Sequence, residues 1–287
     1  MGRTIELLYV KAALGALTRP RRPLRLPDTT LVAPEQVVDR DRLTAYARMC
    51  GFRLSDRLPV TYPHVLGFEL ALQLMTGRDF PFPVLGLVHI CNRITAHRAI
   101  RADERLRLRV RATDLDVHHR GSQFTLFTQA TVGRAPVWSQ HSTYLHRGGR
   151  RNEPLGGGHA VTQPPEPTAV WRLAEDAGRR YAAVSGDRNP IHLHRLTARA
   201  FGFPRAIAHG MYTKARCLAA LEPRLPEAYT VDVRFSRPVL LPATVQVSLT
   251  DADRGWNLAV HNPDGRPHLT GTVCPRPADQ ICLGCTT

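Results

Sequence analysis

The residues of this chain best suited to chemistry lie close together, between Tyr181 and Met211. The run Asp187-Arg188-Asn189-Pro190-Ile191-His192 sets a carboxylate five residues from an imidazole, with a proline between them. Pro190 has no amide hydrogen to give a helix, and it pushes Asn189 towards extended geometry. The chain is therefore expected to leave a helix near Gly186 and to run as a loop from Asp187 to His192. Across such a bend the two side chains can converge on one small volume. A base beside an acid is what adding or removing water requires. Downstream, Ala208-His209-Gly210-Met211 stands where an apolar helical pattern begins, over Gly210–Leu221. Glycine at that point lets a ligand approach the backbone closely. The first turn of a helix also presents unpaired N–H groups at its positive end, suited to an oxygen on which charge is building.

The elements that must position these residues repeat along the chain. Val37, Leu43, Tyr46, Ala47 and Cys50 recur at helical spacing and end at Gly51. Val170, Leu173, Ala174, Ala177, Tyr181 and Val184 do the same and end at Gly186. Tyr46 to Tyr181 and Gly51 to Gly186 are both steps of 135 residues. Each half then carries a second apolar helix, 65–75 in the first and Gly210–Leu221 in the second. Four strand-like runs follow in each: 87–94, 106–112, 124–132 and 137–145, then 229–235, 244–249, 256–260 and 269–273. Leu106, Leu108 and Val110 alternate with arginines, the two-residue period of a half-exposed strand. The pattern predicts a duplicated α+β unit: a helix, a long helix, then a four-strand antiparallel meander.

Between Gly148 and Thr168, nine of 21 residues are Gly or Pro, which reads as a linker. The expected organisation is an N-terminal extension over 1–35, a first half over 36–147, the linker over 148–167, a second half over 168–275 and a tail over 276–287. In the extension, Ile5, Leu8, Tyr9, Ala12 and Ala16 share one face of a helix expected to pack on the body. On the 135-residue offset Phe52 falls on Asp187 and Arg57 on His192, so the first half cannot repeat the chemistry.

Composition narrows the class further. The chain has 287 residues, 43% hydrophobic and 22% charged, too apolar for a disordered protein. No run approaches the ~18 uncharged apolar residues of a membrane helix. Glu6 and Lys11 interrupt the N-terminal apolar stretch, so a cytoplasmic protein without a secretory leader or membrane span is expected. The net charge of +15 comes from arginines spread over the chain, with no nucleic-acid-binding signature beside them. Cys282 and Cys285 form a CxxC with no second ligand pair at zinc spacing, so no metal is expected. Cys50, Cys91 and Cys217 read as buried hydrophobes.

The motif around Asp187 and His209-Gly210 resembles the signature of the MaoC-like (R)-specific enoyl-thioester hydratases, and the duplicated layout resembles the double-hot-dog 3-hydroxyacyl-thioester dehydratases of actinobacteria. That resemblance implies a fold in which a curled antiparallel sheet wraps a long central helix, here Gly210–Leu221. It implies that Asp187 and His192 bind and activate the water, that Asn189 orients them, and that the Gly210 amide forms an oxyanion hole. It implies reversible dehydration of (R)-3-hydroxyacyl thioesters, as an acyl-CoA or on an acyl carrier protein, with no cofactor. It further implies that the first half's helix 65–75 stands aside to leave a tunnel for the acyl chain. Some simple members have a serine eight residues after the helix-start glycine; this chain has Leu218, and Thr213 is the nearby hydroxyl. His209, Lys214, Arg216 and Arg234 are candidate substrate contacts. An acyl-thioesterase and a non-catalytic acyl-thioester binder remain as alternatives, and a homodimer of the double unit is left open.

Overall fold

A computed structural model of the protein describes residues 5–12, 24–148 and 164–275; residues 149–163 of the expected linker, and the tail with Cys282 and Cys285, lie outside them. Residues 5–12 form helix α1. Helices α2 (Arg40–Cys50) and α3 (Tyr62–Met75) belong to the first half, with strands β1 (Thr30–Val32), β2 (Val88–Ala96), β3 (Arg107–His118), β4 (Gly121–Val132) and β5 (Ala135–Arg147). The second half has β6 (Ala169–Leu173), helices α4 (Ala177–Ser185), α5 (Pro190–Leu193), α6 (Arg195–Ala200) and α7 (Gly210–Leu221), then β7 (Tyr229–Phe235), β8 (Ala243–Ala252), β9 (Gly255–His261) and β10 (Pro267–Pro275).

The ten strands form one antiparallel sheet in the order β1-β3-β4-β5-β2-β7-β10-β9-β8-β6. The second half therefore repeats the strand order of the first in reverse, and the two meet where β2 pairs with β7. At that junction Thr95 lies opposite Thr230 with their hydroxyls 3.0 Å apart. Their separation is 135 residues, the same step that relates Tyr46 to Tyr181, whose rings lie 6.1 Å apart. Two independent pairs of equivalent residues thus touch each other across the junction, which fixes a pseudo-twofold axis between the halves. The matching helices α2 and α4 both end on a left-handed glycine, Gly51 at φ 86° and Gly186 at φ 84°, a conformation that favours glycine.

Helices α3 and α7 fill the concave side of the sheet. Eleven of the 14 residues of α3 and eight of the 12 of α7 are buried, which is why both read as apolar nearly all round. One core cluster joins Leu43, Tyr46 and Val65 of the first half to Tyr181, Leu218 and Val247 of the second, so the halves share an interior.

Three local expectations are corrected. Residues 169–173 form strand β6, paired with β8, and the helix begins only at Ala177. Their Val and Trp side chains alternate in exposure, a two-residue period that five residues cannot distinguish from a helical one. Strand β1 falls within the expected N-terminal extension and completes the first half at the edge beside β3. The run from Asp187 to His192 is a loop only as far as Asn189, since Pro190 opens α5. Among the described residues, no helix is long and apolar enough to cross a membrane.

Candidate active site

The connection between the paired helices is longer in the second half: residues 51–61 join α2 to α3, whereas 186–209 join α4 to α7. The extra length folds back over the start of α7. Asn189 takes an extended conformation (ψ 125°) and caps α5, its Oδ1 accepting from the Ile191 N–H at 3.4 Å. Pro190 sits in the first turn, where its missing N–H costs nothing. His192 is thereby held on a short helix that packs on α4 at Gly178, where any Cβ would collide with the His192 carbonyl.

The Asp187 carboxylate has distinguishable oxygens. Oδ1 accepts from the Tyr9 hydroxyl at 2.8 Å and from the Asn189 N–H at 3.1 Å. Oδ2 lies 3.7 Å from His209 Nε2. His192 Nδ1 donates to the Ile207 carbonyl at 2.8 Å, which assigns the proton to Nδ1 and leaves a bare lone pair on Nε2. By the same logic His209 Nε2 carries a proton, donated to the Asp187 carbonyl at 3.0 Å. The His209 ring stacks on His192 with centroids 3.6 Å apart and lies tilted against Tyr181 at 4.8 Å. Asp187, His192 and His209 each offer a ring nitrogen or carboxylate oxygen, and those atoms lie within 4.8 Å of one another. Among the described residues this is the one group with a spacing that would suit a metal ion, although one nitrogen of each imidazole is committed to a backbone carbonyl.

Burial sets the protonation states. Burial opposes charge on both imidazoles, holding His192 below the usual histidine range and His209 down at about 3, so both rings are neutral at pH 7. For Asp187 burial acts the other way; the neighbouring imidazoles His209 and His192 and the donors Tyr9 and Asn189 N–H outweigh it, and the carboxyl stays below its ordinary range. The resting site is an anion beside two neutral rings.

Gly210 opens α7, with His209 at the cap position in extended conformation. A Cβ at 210 would stand 2.9 Å from the Phe235 ring, so only glycine leaves the amides of this turn approachable beside that ring. In the first half the equivalent helix start carries Tyr62 and Pro63, and Pro63 has no N–H to offer. Phe52, the counterpart of Asp187, is core and stacks on Tyr46; Arg57, the counterpart of His192, pairs with Glu227 at 2.7 Å.

The cluster opens into a cleft of about 1820 Å³. Both halves supply its apolar wall, the first through Phe68, Leu72 and Met75 of α3 and the second through Ile207, Met211 and Phe235. Arg234, Arg237 and Arg266 also line it.

The candidate substrate contacts divide. His209 and Arg234 line the cleft, and so does Thr213, whose hydroxyl donates to the His209 carbonyl at 3.4 Å. Lys214 does not reach it: its Nζ is wholly buried, donating to the Asn92 carbonyl and Oδ1 on β2 and to the Val231 carbonyl on β7. Burial lowers this amine to about 7, with Asp232 opposing the fall. Arg216 lies outside the cleft as well, its guanidinium 4.2 Å over the Trp171 ring. Two cleft residues escaped the sequence reading. Tyr9 lies on the apolar face of α1, and its spacing signals packing and gives no sign of the bond its hydroxyl makes to Asp187. His64 on α3, buried and held at about 4 by desolvation, is a polar residue in an apolar run, and that incongruity was the available signal.

Known proteins resemble this chain in sequence and in fold. A MaoC like domain matches residues 157–259, the half that holds Asp187, His192 and Gly210. The chain is 42% identical over 267 residues to 3-hydroxyacyl-thioester dehydratase X of Mycobacterium tuberculosis, covering 92% of this chain and 95% of that protein. A crystal structure of HtdX from the same organism superposes with a TM-score of 0.78 at 41% identity, over 86% of this chain and 100% of that one. A conserved hypothetical protein of M. tuberculosis with a double hot-dog fold matches at TM-score 0.50 and 14% identity, over 87% of this chain and 96% of that one. The fold is a double hot-dog. At this identity and coverage, the chain belongs to the MaoC-like dehydratase family, in the group of 3-hydroxyacyl-thioester dehydratases.

Proposed function

We propose that the protein reversibly dehydrates (R)-3-hydroxyacyl thioesters, carried on coenzyme A or on an acyl carrier protein, to trans-2-enoyl thioesters. The observation that carries the reading is the convergence of Asp187 and His192, a carboxylate oxygen and a ring nitrogen within 4.8 Å, beside the start of α7 in a cleft with an apolar wall. Dehydration breaks the C2–H bond, moves its electron pair towards the thioester carbonyl and then into the C2=C3 bond, and expels the C3 hydroxyl with one proton as water. Asp187 is ionised and His192 is bare at Nε2, so neither starts as an acid. The proton taken from C2 is therefore the proton returned to the departing hydroxyl, passed within the Asp187–His192 pair. The charge that builds on the thioester oxygen meets the Gly210 amide, a contribution of roughly 3 kcal/mol for one well-placed donor. His209, stacked on His192 and bonded to the Asp187 carbonyl, keeps the pair in register. The arginines that line the cleft suit the phosphates of either carrier.

Supplying enoyl-CoAs of increasing chain length tests the reading. The conjugated-thioester absorbance should fall with no thiol released, and Asp187→Asn should slow it by ~10²-fold or more. Release of free thiol would make the protein a thioesterase. Tight binding without turnover would make it a carrier.

A further inference from the structure

We propose that Tyr9 is a positioning residue for this reaction: its hydroxyl, brought in by α1, pins Asp187 Oδ1 and leaves Oδ2 as the oxygen available for proton transfer. The inference rests on the reading of Asp187 as the acid–base carboxylate.

Three neighbouring contacts dock α1 on residues 186–188, where the loop to His192 begins. The Ile5 side chain fills the space where a Gly186 Cβ would stand, with Cδ1 only 2.8 Å from that position. Glu6 pairs with Arg188 at 3.3 Å. Tyr9 donates to Asp187 at 2.8 Å, across 178 residues of sequence. Ile5, Tyr9 and Ala12 lie three and four residues apart, on one face of the helix, and Ile5 and Ala12 are buried in the cluster that contains Phe68 and Leu72 of the cleft wall. The apolar face thus sets the helix, and the one polar atom on it falls on the carboxylate.

A carboxylate oxygen offers about two lone-pair sites. With Tyr9 and the Asn189 N–H on Oδ1, that oxygen is filled, and Oδ2 alone remains for a water or a substrate hydroxyl. Burial holds the Tyr9 phenol well above its ordinary range, so it stays protonated and keeps its hydrogen for Asp187. The ionisable groups around Asp187 are Tyr9 from α1, His64 from α3, Tyr144 from β5, Tyr181 from α4, His192 from α5, His209 before α7, and more distantly His89 from β2. Removing the Tyr9 hydroxyl withdraws a donor to the anion, so Asp187 takes up its proton at a higher pH.

Tyr9→Phe keeps the ring that docks the helix and removes only the donor. The expected result is a kcat lower by about tenfold with KM within about twofold, and an acid limb of the rate profile displaced upward by about one pH unit. Because stability itself falls in acid, the folded fraction is followed by circular dichroism at each pH and the limb is read from the rate per folded molecule, so that its displacement reports the hydroxyl. Asp187→Asn, measured alongside, separates the two failures. If Asp187→Asn is inactive while Tyr9→Phe keeps both its kcat and its acid limb, the role given to Tyr9 is wrong. If Asp187→Asn turns over normally, the reading of Asp187 fails and the role of Tyr9 falls with it.

Discussion

At the scale of single residues, the site is set by backbone carbonyls as much as by its side chains. Ile207 fixes the tautomer of His192, and the carbonyl of Asp187 fixes that of His209. Asn189 acts one step removed, as the cap of α5. Asn189→Ala should cost about 1 kcal/mol of stability in urea unfolding. Its turnover should fall by more than that loss alone explains, because the freed first turn carries His192. Lys214 shows what residue type alone conceals. A lysine one turn past Gly210 invites a phosphate, yet Lys214 shares its helix face with Met211, Leu218 and Leu221, all buried. That periodicity was legible and pointed inward. Lys214→Met should leave the Asn92 and Val231 oxygens without their donor and lower stability by roughly 1–3 kcal/mol. Its KM for the thioester should be unchanged.

At the scale of elements, the packing of α5 on α4 positions His192, and Gly178 is the contact that permits it. Gly178→Ala introduces a methyl group where the His192 carbonyl stands. The alanine is the better helix former by roughly 1 kcal/mol, so a purely local view predicts stabilisation. The expected outcome is the reverse: a lower melting temperature and a kcat lower by ~10-fold or more as His192 is pushed off Ile207. Nothing in the sequence marks Gly178 out from a weak helix residue, since its role depends on a carbonyl 14 residues away. Helix ends were more readable. Gly51 and Gly186 stop α2 and α4 where the pattern places them, because a left-handed C-cap is a local event. Strands β1 and β6 were not readable for the opposite reason. Each is short and lies at a sheet edge, and its identity comes from a partner strand about 80 residues away.

At the scale of the molecule, buried histidines make the fold sensitive to acid. His64 and His209 protonate at about 4 and about 3 in the folded protein, against about 6.5 in an unfolded chain. Below pH ~6.5 the unfolded state binds protons that the folded state refuses, so stability falls as pH drops and is fully retained above that value. Each ring contributes a slope of about 1.4 kcal/mol per pH unit in that window. Thermal unfolding at pH 7.5 and at pH 5 should differ by several degrees, and His64→Leu should flatten the difference. The division of labour between the halves has its own test. Leu72, in the first half, is fully buried in the cleft wall, and Leu72→Trp adds volume there at a cost of about 1–3 kcal/mol. Turnover of a four-carbon enoyl-CoA should survive, whereas that of chains beyond about ten carbons should fall steeply. The pairing of Thr95 with Thr230 explains why such specialisation is open to this chain. In a dimer of identical single units every mutation is written twice, once on each side of the axis. Here the two sides are separate stretches of one gene, so a tyrosine and a proline can stand at one helix start while the glycine at the other is kept.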